Sequence, residues 1–166
     1  MTGIISYDSE SPAIGKQVIT AAAFIHQDFN GVEKVFLPKR STRKKFMPGK
    51  YELPGGHLDF GEDITIGLKR EITEELGVDI NVGDPFYVFT YKNKVKGSHS
   101  IEVVYFATLI SSLSGIQLNP QDHSEYKWIA EEEIGKIINN KGADDPEVKA
   151  ILKGFSLLKG SSLNFG

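Results

Sequence analysis

Four glutamates fall between positions 62 and 75: Glu62, then Glu71, Glu74 and Glu75 within five residues. The last three stand at i, i+3 and i+4. On a helix, at about 100° per residue, Glu71 and Glu75 lie about 40° apart, with Glu74 to one side. Leu68, Ile72 and Leu76 recur every four residues and form an apolar stripe that faces a core. Three carboxylates are therefore crowded beside a buried stripe. Like charges at these spacings cost about 0.2–0.5 kcal/mol per pair on an exposed helix, and more when partly buried. Arg70 lies four residues before Glu74 and can pair with it, but one arginine does not neutralise three glutamates. A hard divalent cation does. Mg²⁺ accepts such oxygen ligands and keeps room for waters and substrate phosphates; Mn²⁺ is the alternative ion.

The elements around these residues have to hold them in place. Asp63 is an N-cap for a helix over 63–76, and Gly77 suits the left-handed position that ends one. Gly67 inside that helix costs about 1 kcal/mol against Ala, which points to close packing against another backbone. Upstream, a short strand over 51–53 stops at Pro54-Gly55-Gly56. The two glycines permit unusual backbone angles and close approach of a ligand to the main chain, and a free carbonyl there is a further metal ligand. Apolar and β-branched runs predict strands at 17–26 and 34–37, joined through Asp28-Phe29-Asn30-Gly31. Further strands are predicted at 86–92, 100–110 and 125–129, with Lys96-Gly97 near a turn, and helices at 131–139 and 146–158. Strands and helices mix without regular βαβ alternation, which favours a mixed sheet with helices packed on it.

From Gly56 the chain reads glycine, five residues, Glu62, seven residues, then Arg70-Glu71-Ile72-Thr73-Glu74-Glu75-Leu76-Gly77-Val78. This is similar to the complete Nudix box, with Ile72 and Val78 at its aliphatic places. Seven specified residues, each used at roughly 6–7%, match a given start by chance on the order of once in 10⁸. The chain thus resembles the Nudix hydrolases. The resemblance implies an α/β fold, a Nudix-type α/β/α sandwich around a mixed sheet, over roughly 17–158 of a single domain, 1–166. It implies hydrolysis of a nucleoside diphosphate linked to another group. Glu71, Glu74 and Glu75 then correspond to metal ligands, one of them possessing the base role, with the Gly55 carbonyl as an extra ligand. Arg70 orients the carboxylates, Glu62 braces the loop to the helix, Gly77 closes it, and Gly56 lets the substrate approach the backbone. Family members often place a further acid before a late tryptophan; here Asp122 and Glu125 precede Trp128, the single tryptophan, and the resemblance implies that one of them, Glu125 being the catalytic candidate, completes the metal site or acts as base.

Lys39, Arg40, Arg43, Lys44 and Lys45 make a basic loop, mostly a solvated surface. Arg40, just past a strand end, is the candidate for phosphate contact, as in similar proteins. His26, His57, His99 and His123 have no zinc-ligand spacing, and His57 occupies a variable position of the box. The absence of cysteine excludes thiolate sites and disfavours an isomerase of the isopentenyl diphosphate kind, which resembles this family but relies on a cysteine. A net charge of −3 gives no general nucleic-acid surface, so a decapping enzyme is disfavoured. A non-catalytic nucleotide sensor is disfavoured because the box carboxylates are all kept. Asn93 stands where ADP-ribose members often carry proline, and Lys94, Val95 and Lys96 where dinucleoside polyphosphate members often carry tyrosine. The coenzyme A pattern is met only by Lys39-Arg40-Ser41. A nucleoside triphosphate is the favoured substrate, with a nucleotide sugar or ADP-ribose as the alternative. No apolar run reaches a membrane span and the start, 1–15, does not read as a signal peptide, so a cytoplasmic protein is expected. Its expected partner is a nucleotide-like small molecule, with neither membrane nor nucleic acid. The tail, 160–166, reads as loose, and the long strands and C-terminal helices offer surfaces for a homodimer without demanding one.

Overall fold

The structure, a computed structural model, describes residues 10–160; the expected lead over 1–9 and the tail over 161–166 lie outside them. Six consecutive residues of the first strand, β1 (Gln17–Phe29), from Thr20 to Ile25, are buried and alternate between two faces. Ala22 and Phe24 enter one core with Val104, Val148, Ile151 and Phe155; Ala21, Ala23 and Ile25 enter a second with Leu68, Ile72 and Leu76. A strand covered on both faces reads as a continuous apolar run rather than an alternating one. β1 is therefore the middle of the sandwich that the sequence predicts.

β2 (Val32–Arg40) returns antiparallel to β1 through Asn30 and Gly31, both at positive φ (55° and 86°). Because Phe29 pairs with Val32, the turn has two residues instead of the four expected. Asn-Gly suits such a turn because it supplies two left-handed positions. β3 (Gly55–His57) is antiparallel to β1, followed by α1 (Ile64–Leu76) and the antiparallel pair β4 (Ile80–Asn93) and β5 (Ser98–Leu109). β5 runs parallel to β1, which makes the sheet mixed, and its order is β4-β5-β1-β2-β6, where β6 is His123–Ala130. The helices α2 (Gly135–Lys141) and α3 (Pro146–Leu158) cover the Phe24 side, and α1 covers the other. Among the described residues, no helix is long and apolar enough to cross a membrane.

Several boundaries differ from expectation. The 51–53 segment is not a strand; Tyr51 makes one isolated bridge to Lys39, and the strand consists of the glycines that were expected to end it. Gly55 is in the sheet because a Cβ there would lie 2.1 Å from the Ala21 carbonyl oxygen, so only glycine lets these backbones approach. β4 starts six residues before the expected Phe86; Pro85 interrupts its register and hides the continuity. The 131–139 helix is a 3₁₀ turn, Glu131–Glu133, followed by α2. Lys39 and Arg40 belong to β2, so the basic loop is shorter than read.

Candidate active site

α1 is fixed at both ends. The Asp63 carboxylate accepts from the Thr65 and Ile66 amides at 2.9 and 3.2 Å, and Gly77 closes the helix at φ 66° with its N–H on the Thr73 carbonyl. Leu68, Ile72 and Leu76, at most 1% exposed, lock its rotation against the sheet. That rotation turns Glu71 and Glu75 toward β3. Glu75 Oε2 accepts from the Gly55 amide at 3.1 Å. Glu71 Oε2 sits so near Gly56 that a Cβ there would be 2.4 Å away. Glu74, by contrast, keeps a side chain that is 56% exposed.

Arg70 ties the loop to the helix. Its Nε and Nη2 donate to the two Glu62 oxygens at 2.9 Å each, Nη2 also to the His57 carbonyl at 3.0 Å, and Nη1 to Glu71 at 2.7 Å. The i,i+4 contact to Glu74 that the spacing suggests is longer, 3.4 Å. Glu62 additionally accepts from the Asp59 amide at 2.9 Å. Gly67 is packed as expected, but against side chains instead of a backbone: a Cβ there would meet Leu58 and Glu62 at 2.5 and 2.7 Å.

The charges are unbalanced where they are most buried. Burial raises the Glu75 carboxyl well above its ordinary range, and the nearby charges of Glu52, Glu71 and Asp122 add to this. Burial also raises Glu71, against the pull of Arg70. The hydrogen bond from Arg70 lowers Glu62. Carboxylate oxygens and a strand of glycine carbonyls form a donor set that fits a hard divalent cation, and such an ion would relieve the repulsion. Among the described residues, no three acid or histidine side chains already converge as a metal cage; Glu74, engaged with Arg70, would have to turn to join Glu71 and Glu75.

These groups line a cavity of about 900 Å³ together with Arg40 and Asp122. Arg40 is buried, its Nη1 on Glu52 at 3.1–3.2 Å and its Nε on the Phe46 carbonyl at 2.9 Å, while Nη2 has no partner. Asp122 joins the cavity and pairs with Lys44 at 2.8 Å. Glu125 does not join it; it accepts from the Tyr51 hydroxyl at 2.5 Å and from Lys39 at 3.4 Å. The reason is the regular β2–β6 register, which sets Glu125 opposite Lys39 and not opposite Arg40; the register shifts only beyond it, where Arg40 pairs with His123. Neighbouring β2 residues face opposite ways, so their partners do too.

Three cavity acids escaped the sequence reading. Against the cost of its burial, Arg40 and a hydrogen bond from His123 hold Glu52 down at about 2. Glu147 accepts from the Leu53 amide and from Lys141. Burial, and then the charge of Glu147, push Glu102 up to about 8. One sign was legible for Glu102, a lone charge inside the apolar run Ile101–Val104. His57, left open by the sequence, lines the cavity with its Nε2 3.1 Å from Lys96 Nζ.

Comparison with known proteins agrees with this geometry. A NUDIX domain model matches residues 16–151. The 8-oxo-dGTP diphosphatase of Buchnera aphidicola is 31% identical over 96 residues, 58% of this chain and 67% of that protein. An uncharacterized Nudix hydrolase of Nostoc is 37% identical over 54 residues, but the match covers only 32% of either chain. In fold, a C. elegans Ap4A hydrolase structure superposes with a TM-score of 0.70 at 22% identity, covering 87% of this chain and 99% of that one. With its box on α1 and the matched region spanning the sheet, the chain belongs to the Nudix hydrolase family.

Proposed function

We propose that this protein hydrolyses the diphosphate linkage of a nucleoside triphosphate with the help of Mg²⁺. The observation that carries this reading is the pair Glu71 and Glu75, half-buried against the glycine strand at the wall of a cavity with room for a nucleotide. Glu71, Glu74, Glu75 and the Gly55 carbonyl are the residues that would hold the ion. When bound, it would neutralise phosphate charge and make water a better nucleophile.

The chain's own groups do the rest. Arg40 lines the cavity and brings there a guanidinium charge suited to a phosphate oxygen. Arg70 holds Glu71 in position through the 2.7 Å bond. A carboxylate of the α1 cluster, Glu71 or Glu74, takes the proton of the attacking water. The phosphorus–oxygen bridge breaks, and the products are a nucleoside monophosphate and pyrophosphate. Asp122, and not Glu125, is the additional acid of the site.

The triphosphate is preferred over a nucleotide sugar or ADP-ribose because a relative named as an 8-oxo-dGTP diphosphatase is 31% identical. The test is a panel of canonical and oxidised nucleoside triphosphates, ADP-ribose, nucleotide sugars, dinucleoside polyphosphates and coenzyme A, with and without Mg²⁺, read by chromatography. Metal-dependent release of pyrophosphate from a triphosphate is expected. Failure with every triphosphate, alongside cleavage of another class, would overturn the substrate. Silence across the panel from folded protein would overturn the enzyme.

A further inference from the structure

The cavity extends past the α1 carboxylates to an inner wall built on β1, β4 and β5. Three acids stand there, and two of them are matched. Glu52 is paired with Arg40 and His123, and Glu147 with Lys141 and the Leu53 amide. Glu102 makes no direct ion pair among the described residues; the nearby Lys141 ammonium, which pairs with Glu147, opposes its protonation only weakly against burial. Its hydrogen bond is to Thr20, whose hydroxyl lies 3.1 Å from Oε2 and 3.3 Å from the Ile101 carbonyl. Thr20 itself is buried, 3% exposed, so the fold fixes one edge of the Glu102 carboxyl and leaves the other to the cavity.

Aromatic rings stand beside it. Tyr91 lines the same cavity, and Phe46 from the β2–β3 loop lies almost parallel to it, 17° between planes and 5.9 Å between centroids. Phe46 is held there by its carbonyl, which accepts from Arg40 Nε at 2.9 Å. The side chain proposed to meet phosphate therefore also sets the position of an aromatic platform. A flat ring face beside one hydrogen-bonding group is the arrangement that recognises a heterocycle, since every base has a π-face and its edge is read separately.

We propose that this inner wall is the recognition site for a nucleobase, stacked against Phe46 and Tyr91, with Glu102 reading its hydrogen-bonding edge as a neutral carboxylic acid. The inference rests on the nucleotide reading above and deepens it. Surrounded by Glu52 and Glu147, a proton on Glu102 avoids a third negative charge, and burial favours it. A neutral carboxyl presents a donor and an acceptor side by side. It therefore complements an edge with an adjacent acceptor and donor, as in a lactam or amidine. A charged Glu102 would only accept, and would instead select an edge with two adjacent donors or a cationic group.

The experiment separates these cases without turnover. Binding of AMP, GMP, CMP, UMP and base-less ribose 5-phosphate is measured by titration calorimetry on the full chain, because monophosphates contain no linkage to cut. At least one nucleotide is expected to bind tenfold or more tighter than ribose 5-phosphate. Glu102→Gln, which keeps a neutral donor and acceptor, is expected to stay within about threefold of wild type. Glu102→Leu is expected to lose the preference while binding ribose 5-phosphate unchanged, with thermal unfolding confirming that both variants fold. Equal binding of ribose 5-phosphate and every nucleotide by wild type would overturn the proposal, as would retention of the preference by Glu102→Leu. Equal loss in Glu102→Gln and Glu102→Leu would also overturn it, in favour of a charged carboxylate. Absence of hydrolysis would leave these measurements intact, and base-blind hydrolysis would overturn this site alone.

Discussion

Replacing Gly56 by alanine separates the position of Glu71 from the stability of the fold. Gly56 does not adopt a positive φ, so its backbone accepts alanine. The new Cβ would lie 2.4 Å from Glu71 Oε2 and 2.6 Å from its Cδ. Ordinary contact between such atoms is about 3.5 Å, so the carboxylate must retreat by about 1 Å. It is the free end of a side chain, and the fold can allow this. A misplacement of about 1 Å costs on the order of 10² in rate. For stability, Gly→Ala restricts the unfolded chain and contributes about 0.4–1 kcal/mol. Weakening the 2.7 Å Arg70–Glu71 bond removes a similar amount. The expected result is kcat/KM down about a hundredfold with Tm within about 4 °C of wild type. Gly55→Ala is the contrast: its Cβ would meet the Ala21 carbonyl at 2.1 Å with φ at 148°, and it should unfold the sheet locally. Wild-type turnover in a stable Gly56→Ala protein would refute the placement of Glu71.

Other expected outcomes follow from the buried charges. Arg70→Lys keeps the charge but loses the fork to Glu62, the His57 carbonyl and Glu71; denaturant unfolding should show a loss of about 1–3 kcal/mol, and turnover should fall with it. Glu52 is held at about 2, below its ordinary 4.5. Its stabilisation is present above about 4.5 and is lost as pH falls toward about 2, at most about 3 kcal/mol; Glu52→Gln should flatten that acid limb in a pH series of unfolding curves. Glu102, facing Glu147, Glu52, Lys141 and Thr20, is raised to about 8. Its contribution is present below about 4.5 and is lost as pH rises toward about 8. Glu102→Gln should therefore gain on wild type steadily between those limits, and a constant difference would contradict the assignment.

The α1 cluster was legible because helical spacing alone ranks its side chains: the stripe Leu68, Ile72, Leu76 dictates where Glu71 and Glu75 must face. The core strands were legible for the same reason, since β1 reads as apolar on both faces. What escaped depends on pairing between distant segments. Nothing local in Gly55-Gly56-His57 announces a strand, because its partner, residues 20–22, lies over thirty positions earlier. Glu125 and Asp122 look equivalent until the β2–β6 register sets Glu125 opposite Lys39. Glu52 and Glu147 resemble ordinary surface acids until Arg40, His123 and Lys141 are brought to them.

The most direct test of metal-assisted hydrolysis on α1 is the Mg²⁺-dependent turnover of Glu75→Gln. The substitution removes a half-buried carboxylate charge at nearly constant volume, next to the Gly55 amide that already contacts it. Turnover should drop about 10²- to 10³-fold, and the metal-free protein should be at least as stable as wild type, because the charge it loses is repelled by Glu52, Glu71 and Asp122. Near-normal Mg²⁺-dependent turnover in this variant would contradict the account and place the chemistry elsewhere.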